Sequence, residues 1–155
     1  MSNSMRGMLA GFVATVVLSG LLLLKSSMDI VPELNIIRLL TNLGSISVVQ
    51  AWMDHFIVGV VVWGLLFGSY DAVASRPAYW LKGIIFGIFA WLLMMVLFMP
   101  LAKTGFFGQR LGPMAAAVTL IYHLVYGAVL GTTYGILTSW APAKPEASRI
   151  GAPLA

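Results

Sequence analysis

The sequence predicts an all-α membrane protein: four transmembrane helices form two parallel-repeat hairpins, with a short interfacial amphipathic helix after the first span. Of its 155 residues, 60% are hydrophobic and 9% are charged, whereas about a quarter of a soluble domain is charged. Four apolar stretches, residues 7–24, 48–70, 79–99 and 114–138, reach or approach the ~20 residues that a helix needs to cross a bilayer. Similar short segments recur in the two halves, which indicates a duplicated hairpin.

Charge and composition narrow the classes of partner. The net charge of +4 comes from basic residues scattered over loops and helix ends, without a run or stripe, so no nucleic-acid partner is expected. The expected partners are membrane lipids and other membrane protein subunits, or a second copy of the chain. Cysteine is absent, which excludes disulfides, thiolate catalysis and iron–sulfur ligation.

The first span begins after Arg6 and is too long for a signal peptide, so it is interpreted as a retained helix. The segment that follows predicts the interfacial helix. Asp29 suits its N-cap, Pro32 its first turn and Gly44 its end. Leucine and isoleucine recur on one side, including Leu34 and Leu40, and polar residues on the other, so lipid contact on the apolar side is expected.

The remaining connections differ in character. Residues 71–77 form a short polar link between the hairpins, and the glycine-rich segment 101–113 predicts an irregular loop. Residues 1–140 are expected to form a single domain, with repeats at about 5–70 and 81–138. The proline-rich segment 141–155 is expected to be a flexible tail. Five basic residues on the side of the termini, against four on the other, favour cytoplasmic termini.

Two pairs of segments carry the internal repeat. Arg6-Gly7-Met-Leu-Ala-Gly11 is echoed 76 positions later by Lys82-Gly83-Ile-Ile-Phe-Gly87, and His55-Phe-Ile-Val-Gly59 is echoed 68 positions later by His123-Leu-Val-Tyr-Gly127. An even number of spans separates the copies, so they run parallel. Small-residue ridges permit close helix packing, which is the role expected of Gly7, Gly11, Gly83, Gly87, Gly131 and Gly135.

The two histidines are the strongest candidates for chemistry, because an ionisable residue inside a membrane is costly and usually functional. The repeat predicts that they lie at similar depth and face one another. One hypothesis is a b-type haem with His55 and His123 as axial ligands and Gly59 and Gly127 in contact with the ring. Others are a role in helix packing and a role in handling protons or quinones. No metal beyond a haem iron is expected.

Three functions are weighed. The favoured one is a non-catalytic accessory or structural subunit of a larger bacterial membrane complex, because so few polar groups offer little apparatus for turnover. A haem-binding or redox protein is the alternative, and a small transporter or channel the third, since few polar residues would line a path. No catalytic residue and no enzymatic activity are predicted. Hydrolase and phosphate-loop signatures are absent from the sequence.

Several motifs together resemble a known family. They are the Arg/Lys-Gly-x-x-x-Gly starts, the loop Met28…Pro32-Glu-Leu-Asn, the span Trp52-x-x-His55-x-x-x-Gly59 and the segment Ala90-Trp-Leu-Leu-Met-Met…Met99-Pro100. They are similar to those of a family of small bacterial four-span inner-membrane proteins, a domain of unknown function, over residues 5–138. The resemblance implies a bacterial cytoplasmic membrane and four helices. It implies no activity, ligand or functional residue.

Overall fold

The computed structural model describes residues 1–28, 30–74 and 78–140. Five helices follow one another in these residues: α1 Asn3–Ser27, α2 Ile36–Gly44, α3 Val48–Val73, α4 Tyr79–Leu101 and α5 Met114–Ser139. All but α2 are long and apolar enough to cross a membrane. The described part contains no strand. The predicted all-α fold with four membrane helices is confirmed. The tail expected at 141–155 lies outside the described residues.

The second helix is shorter than the sequence predicted. Its N-cap is Asn35, whose side-chain oxygen accepts a hydrogen bond from the backbone N–H of Arg38 at 3.0 Å. Pro32 precedes the helix instead of lying in its first turn, and Asp29 lies outside the described residues. Gly44 is the last helical residue, as predicted, and Ser45 adopts the left-handed conformation after it.

The apolar side of this region faces protein, where lipid contact was expected. Leu34 is 2% exposed, and Ile37 and Leu39 are also buried. Leu34 and Leu39 belong to a core cluster with Met95 and Met99 of α4 and Ala115 of α5. The segment thus closes one end of the bundle, because folding back onto α4 and α5 buries apolar area that would otherwise lie at the headgroup layer.

The loop between α4 and α5 is irregular, as its glycines predicted. A short 3₁₀ turn, Phe106–Leu111, lies within it. Gly105 and Gly108 have φ angles of 80° and 67°, a region that side chains disfavour. Thr104 donates a hydrogen bond from its hydroxyl to the carbonyl of Met99 at 2.8 Å, which ties the loop to the end of α4.

The four spans pack in pairs. The first helix lies along both α3 and α5, and α4 lies along α5. By contrast, α3 and α4 meet chiefly through one aromatic cluster, in which the Phe86 ring lies 5.7 Å from Trp63 and 5.3 Å from Phe67, between centroids. Toward the end that carries α2, these two helices separate. This separation creates the space described in the next subsection.

Glycine allows the backbones of paired helices to touch. A Cβ atom added at Gly83 would overlap the carbonyl oxygen of Gly127, and one at Gly7 would overlap that of Gly64. Such contacts exclude every other residue type. The six glycines to which the sequence assigned helix packing all meet another helix at contact distance, namely Gly7, Gly11, Gly83, Gly87, Gly131 and Gly135.

A buried ion pair fastens the end that carries the chain's N-terminus. Lys82 Nζ lies 2.5 Å from Asp71 Oδ1, and their side chains are 8% and 12% exposed. The same ammonium group donates to the carbonyl of Ala74 at 3.3 Å and lies 5.3 Å from the Tyr79 ring centroid. The pair links the end of α3 to the start of α4 across the interhelical link.

Replacing Gly131 by leucine should destabilise the bundle by at least about 1–3 kcal/mol, because its side chain would overlap the backbone of Tyr79 and Gly83. The matched control is Gly20→Leu, since no atom lies within 4 Å of a Cβ added there. Unfolding in detergent micelles measures both. Equal stability of the two variants would contradict the packing described for α4 and α5.

Candidate functional site

A cavity of about 410 Å³ lies between the helices at the end of the bundle near α2. This volume falls in the range of pockets that hold small molecules, roughly 300–1,000 Å³. All five helices contribute to its wall. The lining residues are Thr15, Leu18, Leu22, Ile36, Leu40, Asp54, His55, Val58, Gly59, Trp63, Ala90, Leu93, Met94, Leu97, Phe98, Leu101, Thr119, Tyr122, His123 and Tyr126.

The mouth of the cavity lies between α3 and α4. Only three lining residues are exposed: Val58 of α3, at 43%, and Leu97 and Leu101 of α4, at 56% and 65%. The other lining residues are buried or half-buried. In a membrane-spanning bundle, apolar side chains exposed on the sides of helices face lipid. The exposed rim of the cavity therefore suits contact with the hydrocarbon layer.

Both π-helical segments in the described chain lie at this cavity. Ile57–Val62 interrupts α3, and Met94–Phe98 interrupts α4. The first contributes Val58 and Gly59 to the wall, and the second contributes Met94, Leu97 and Phe98. Such bulges are rare and occur frequently at functional sites. Their position on both sides of the mouth marks the cavity as the candidate site.

His123 has a defined ring orientation. Its Nδ1 lies 2.8 Å from the carbonyl oxygen of Thr119, one turn earlier in α5. A carbonyl only accepts, so Nδ1 carries the hydrogen. In the neutral ring, Nε2 then holds a lone pair and serves as an acceptor or a metal ligand. Because His123 lines the cavity, this nitrogen is the acceptor available to a molecule bound there.

His55 lies in the other pair of helices, α1 and α3. Its Nε2 lies 3.4 Å from Ser19 Oγ of α1. The ring is also in edge contact with Trp52 and Phe56, with centroids 5.7 and 5.9 Å away. The structure thus brings both histidines to one cavity, one on α3 and one on α5. For His55 to bind a ligand through Nε2, it would exchange its contact with Ser19.

The histidines do not occupy equivalent packing positions. His123 lies beside Gly87, since a Cβ added at Gly87 would overlap its carbonyl oxygen. The repeat pairs Gly87 with Gly11, yet Gly11 meets the carbonyl oxygen of Gly59 instead of that of His55. The packing surroundings of the two histidines therefore differ, and their equal depth stays a prediction. The contact of α1 with α3 thus lies about one helical turn further along α3 than the contact of α4 lies along α5. This difference falls in the region of the π-helical segment Ile57–Val62.

Two glycines expected to contact a ring pack against protein. Space beside Gly59 is filled by the side chain of Thr15, and space beside Gly127 by the backbone of Gly83 and Gly87. Gly59 still lines the cavity, whereas Gly127 does not. Ring contact at these positions stays a prediction, and the packing at Gly127 gives it no support.

Tyr126 forms the inner wall. Its hydroxyl donates a hydrogen bond to the carbonyl of Gly59 at 2.6 Å, which joins α5 to the π-helical part of α3. Sequence inspection missed this residue, because a tyrosine among apolar residues is indistinguishable from ordinary core. The nearby hydroxyls of Thr15 and Thr119 bond to carbonyls of their own helices, at Gly11 and Ala115, so they stabilise the wall locally.

Asp54 and Tyr122 complete the polar part of the lining. Among the described residues Asp54 forms no ion pair. The ammonium group of Lys25 donates to the carbonyls of Val31 and Leu34. Tyr122 precedes His123, and no hydrogen bond of its hydroxyl is formed within the described residues. Sequence inspection missed Tyr122, and its position next to His123 was the one signal that could have found it.

Metal-binding clusters are not a feature of the described chain, where no group of three or more His, Asp or Glu side chains converges. A metal bound here would therefore need ligand atoms from a bound group, such as the ring nitrogens of a macrocycle.

The family model for DUF6789, a family of unknown function, matches residues 1–144. The chain belongs to this family. No curated protein and no solved structure matches it.

Replacing Tyr126 by phenylalanine should lower the free energy of unfolding by about 0.5–1.5 kcal/mol, because the hydrogen bond to Gly59 is lost. Tyr122→Phe is the matched control, with the same atom removed from the same helix, and should leave stability nearly unchanged. Denaturation in micelles measures both. A larger loss for Tyr122→Phe would show that the assigned contacts are wrong.

Proposed function

We propose that this integral membrane protein is a non-catalytic accessory subunit of a larger bacterial membrane complex, and that it holds a lipid-soluble ligand in its lateral cavity. The observation that carries the proposal is the position of both histidines on one cavity whose mouth lies between α3 and α4. A ligand that enters there comes from the bilayer, and the imidazoles give it a place to hydrogen-bond.

The chemistry of the lining supports binding over turnover. Of its polar side chains, the hydroxyls of Thr15, Thr119 and Tyr126 donate to backbone carbonyls. Among the described lining residues, that leaves one carboxyl, two imidazoles, the indole N–H of Trp63 and the hydroxyl of Tyr122. Covalent catalysis needs a nucleophile beside a base that is itself oriented by a third group, and this lining offers no such arrangement.

The outer face of α1 supports contact with a further subunit. Gly20 has open space beside it, and exposed side chains such as Val13, Val16 and Val17 lie on the same helix. Association of helices in a membrane depends on close packing at small residues. This face suits another membrane helix, whereas the glycines inside the bundle are already occupied.

The proposed location is the bacterial cytoplasmic membrane, with both termini in the cytoplasm. Four spans return the chain to the side on which it began, and basic residues favour the cytoplasmic side. Reporter fusions at residues 1 and 155 should both report a cytoplasmic position. Opposite responses would contradict the four-span topology, and two periplasmic responses would invert the orientation.

A b-type haem is the second candidate. His123 favours it, because a ligating histidine commonly donates its other ring N–H to a carbonyl, as Nδ1 does to Thr119. Bis-histidine ligation would also require His55 to turn from Ser19. The third candidate, a small transporter or channel, has less support, since the cavity opens sideways and its wall is mostly apolar.

A blocked mouth tests the proposal. Leu97→Trp should fill the entrance with an indole ring, because Leu97 lines it and is exposed. Leu92→Trp is the matched control, an exposed leucine of α4 outside the lining. After purification in lipid nanodiscs, mass spectrometry should find a bound lipid-phase molecule in wild type and in the control, and at least about tenfold less in Leu97→Trp.

Other outcomes of this preparation are equally informative. Equal amounts of bound molecule in all three proteins, or none, would contradict ligand binding in the cavity. A Soret absorption band lost in both His55→Ala and His123→Ala would select haem. Native mass in mild detergent should exceed that of one chain and fall with Gly20→Leu, and a monomer in every sample would contradict the subunit role.

A further inference from the structure

The lining of the lateral cavity restricts the charge of any head group that it holds. Among the described residues that line it, Asp54 carries the one carboxyl group, and none is a lysine or an arginine. An acidic head group, such as a phosphate or a fatty-acid carboxylate, would bring a negative charge beside a carboxyl group in a low-dielectric space without a counter-ion, which is strongly unfavourable. A neutral head group avoids this cost.

The hydrogen-bonding groups then define the head group further. His123 presents Nε2 as an acceptor, because Nδ1 donates to Thr119. Tyr122, the next residue, has a hydroxyl that makes no hydrogen bond within the described chain and can donate. A complementary molecule therefore carries oxygen that can donate to His123 Nε2 or accept from the Tyr122 hydroxyl.

The shape of the wall favours a flat ring with an apolar chain. Trp63, Phe98 and Tyr126 contribute aromatic surfaces to the interior, and aromatic rings pack well against other rings. Leu97 and Leu101 form the rim on α4, and both are more than half exposed. A ring inside the cavity would leave its chain to pass over these leucines into the lipid.

We infer that the ligand is a neutral isoprenoid lipid of the quinone–quinol class, whose ring oxygens bond to His123 and Tyr122. The inference rests on the proposed function, which supplies entry from the bilayer. In the quinol, a ring hydroxyl donates to His123 Nε2. In the quinone, a ring carbonyl accepts from the Tyr122 hydroxyl. Only binding is assigned here, and no electron transfer.

Three probes test this inference on the full chain in detergent: a benzoquinol with a two-unit isoprenoid chain, the matching benzoquinone, and the dimethyl ether of the quinol. The ether keeps ring and chain but cannot donate. Affinities can be read from quenching of tryptophan fluorescence, since Trp63 lines the cavity. Wild type should bind quinol about threefold to tenfold more tightly than the ether, as one hydrogen bond supplies.

Two variants distinguish the two bonds. His123→Leu should reduce quinol affinity to that of the ether and leave ether binding unchanged. Tyr122→Phe should weaken quinone binding about threefold to tenfold and barely affect the ether. The second variant decides the matter if His123→Leu does not fold, because the Tyr122 hydroxyl has no hydrogen-bond partner within the described residues to lose.

Several results would overturn the inference. Equal affinity for quinol, quinone and ether, unchanged in both variants, would mean that the cavity binds apolar chains and forms no hydrogen bond with the head group. The proposed function would survive that result. Tighter binding of a long-chain primary amine, abolished by Asp54→Asn, would assign a cationic ligand. Binding of none of the probes would remove the quinone class, and the proposed function would then depend on the nanodisc result alone.

Discussion

Backbone contact through glycine is the constraint on which the rest of this structure depends. Gly7 against Gly64 joins α1 to α3, and Gly83 against Gly127 joins α4 to α5. Each contact brings two helix backbones together, so each pair of helices forms one closely packed unit. The units meet along α1 and α5, and at an aromatic cluster around Phe86. Nothing comparable draws α3 toward α4 at the other end, so a cavity is left there.

The polar groups lie in two places, one at the closed end of the bundle and one around the cavity. Lys82 and Asp71 form a buried pair at the end where the units are closed, which satisfies both charges without solvent. His55, His123 and Tyr122 lie around the open space. Intramembrane polar groups are retained where they have partners or a function. The structure thus separates a fastened end from an end that can receive a ligand.

Much of the fold followed from composition and length. Runs of about 20 apolar residues and the scarcity of charge specified four membrane helices, because the bilayer permits few alternatives. The packing of the α2 region against protein could not be predicted from the sequence, since Leu34 is equally suited to contact with lipid and to contact with Met95. Only the tertiary fold decides between them. The later start of α2 reflects capping by Asn35, one of several residues with a suitable side chain.

The site was predicted in part. The cost of an intramembrane imidazole pointed to His55 and His123, and both line the cavity. Their packing neighbours differ, since Gly11 meets Gly59 whereas its counterpart Gly87 meets His123, and the spacing of the repeat does not reveal this difference. Tyr126 carried no signal, since its role depends on a carbonyl 67 positions away in the chain. Contacts of this kind are set by packing, which local pattern does not encode.

The central claim is that His123 presents an unprotonated Nε2 to a lipid-accessible cavity. Nitrogen-15 NMR of the histidine side chains in bilayers tests it directly, because the chain contains two histidines and His55→Gln assigns their signals. We expect a neutral His123 ring with the hydrogen on Nδ1, and an Nε2 signal that shifts when a short-chain quinol is added to the lipid. A hydrogen on Nε2, or a signal unaffected by any lipid-phase ligand, would contradict the account.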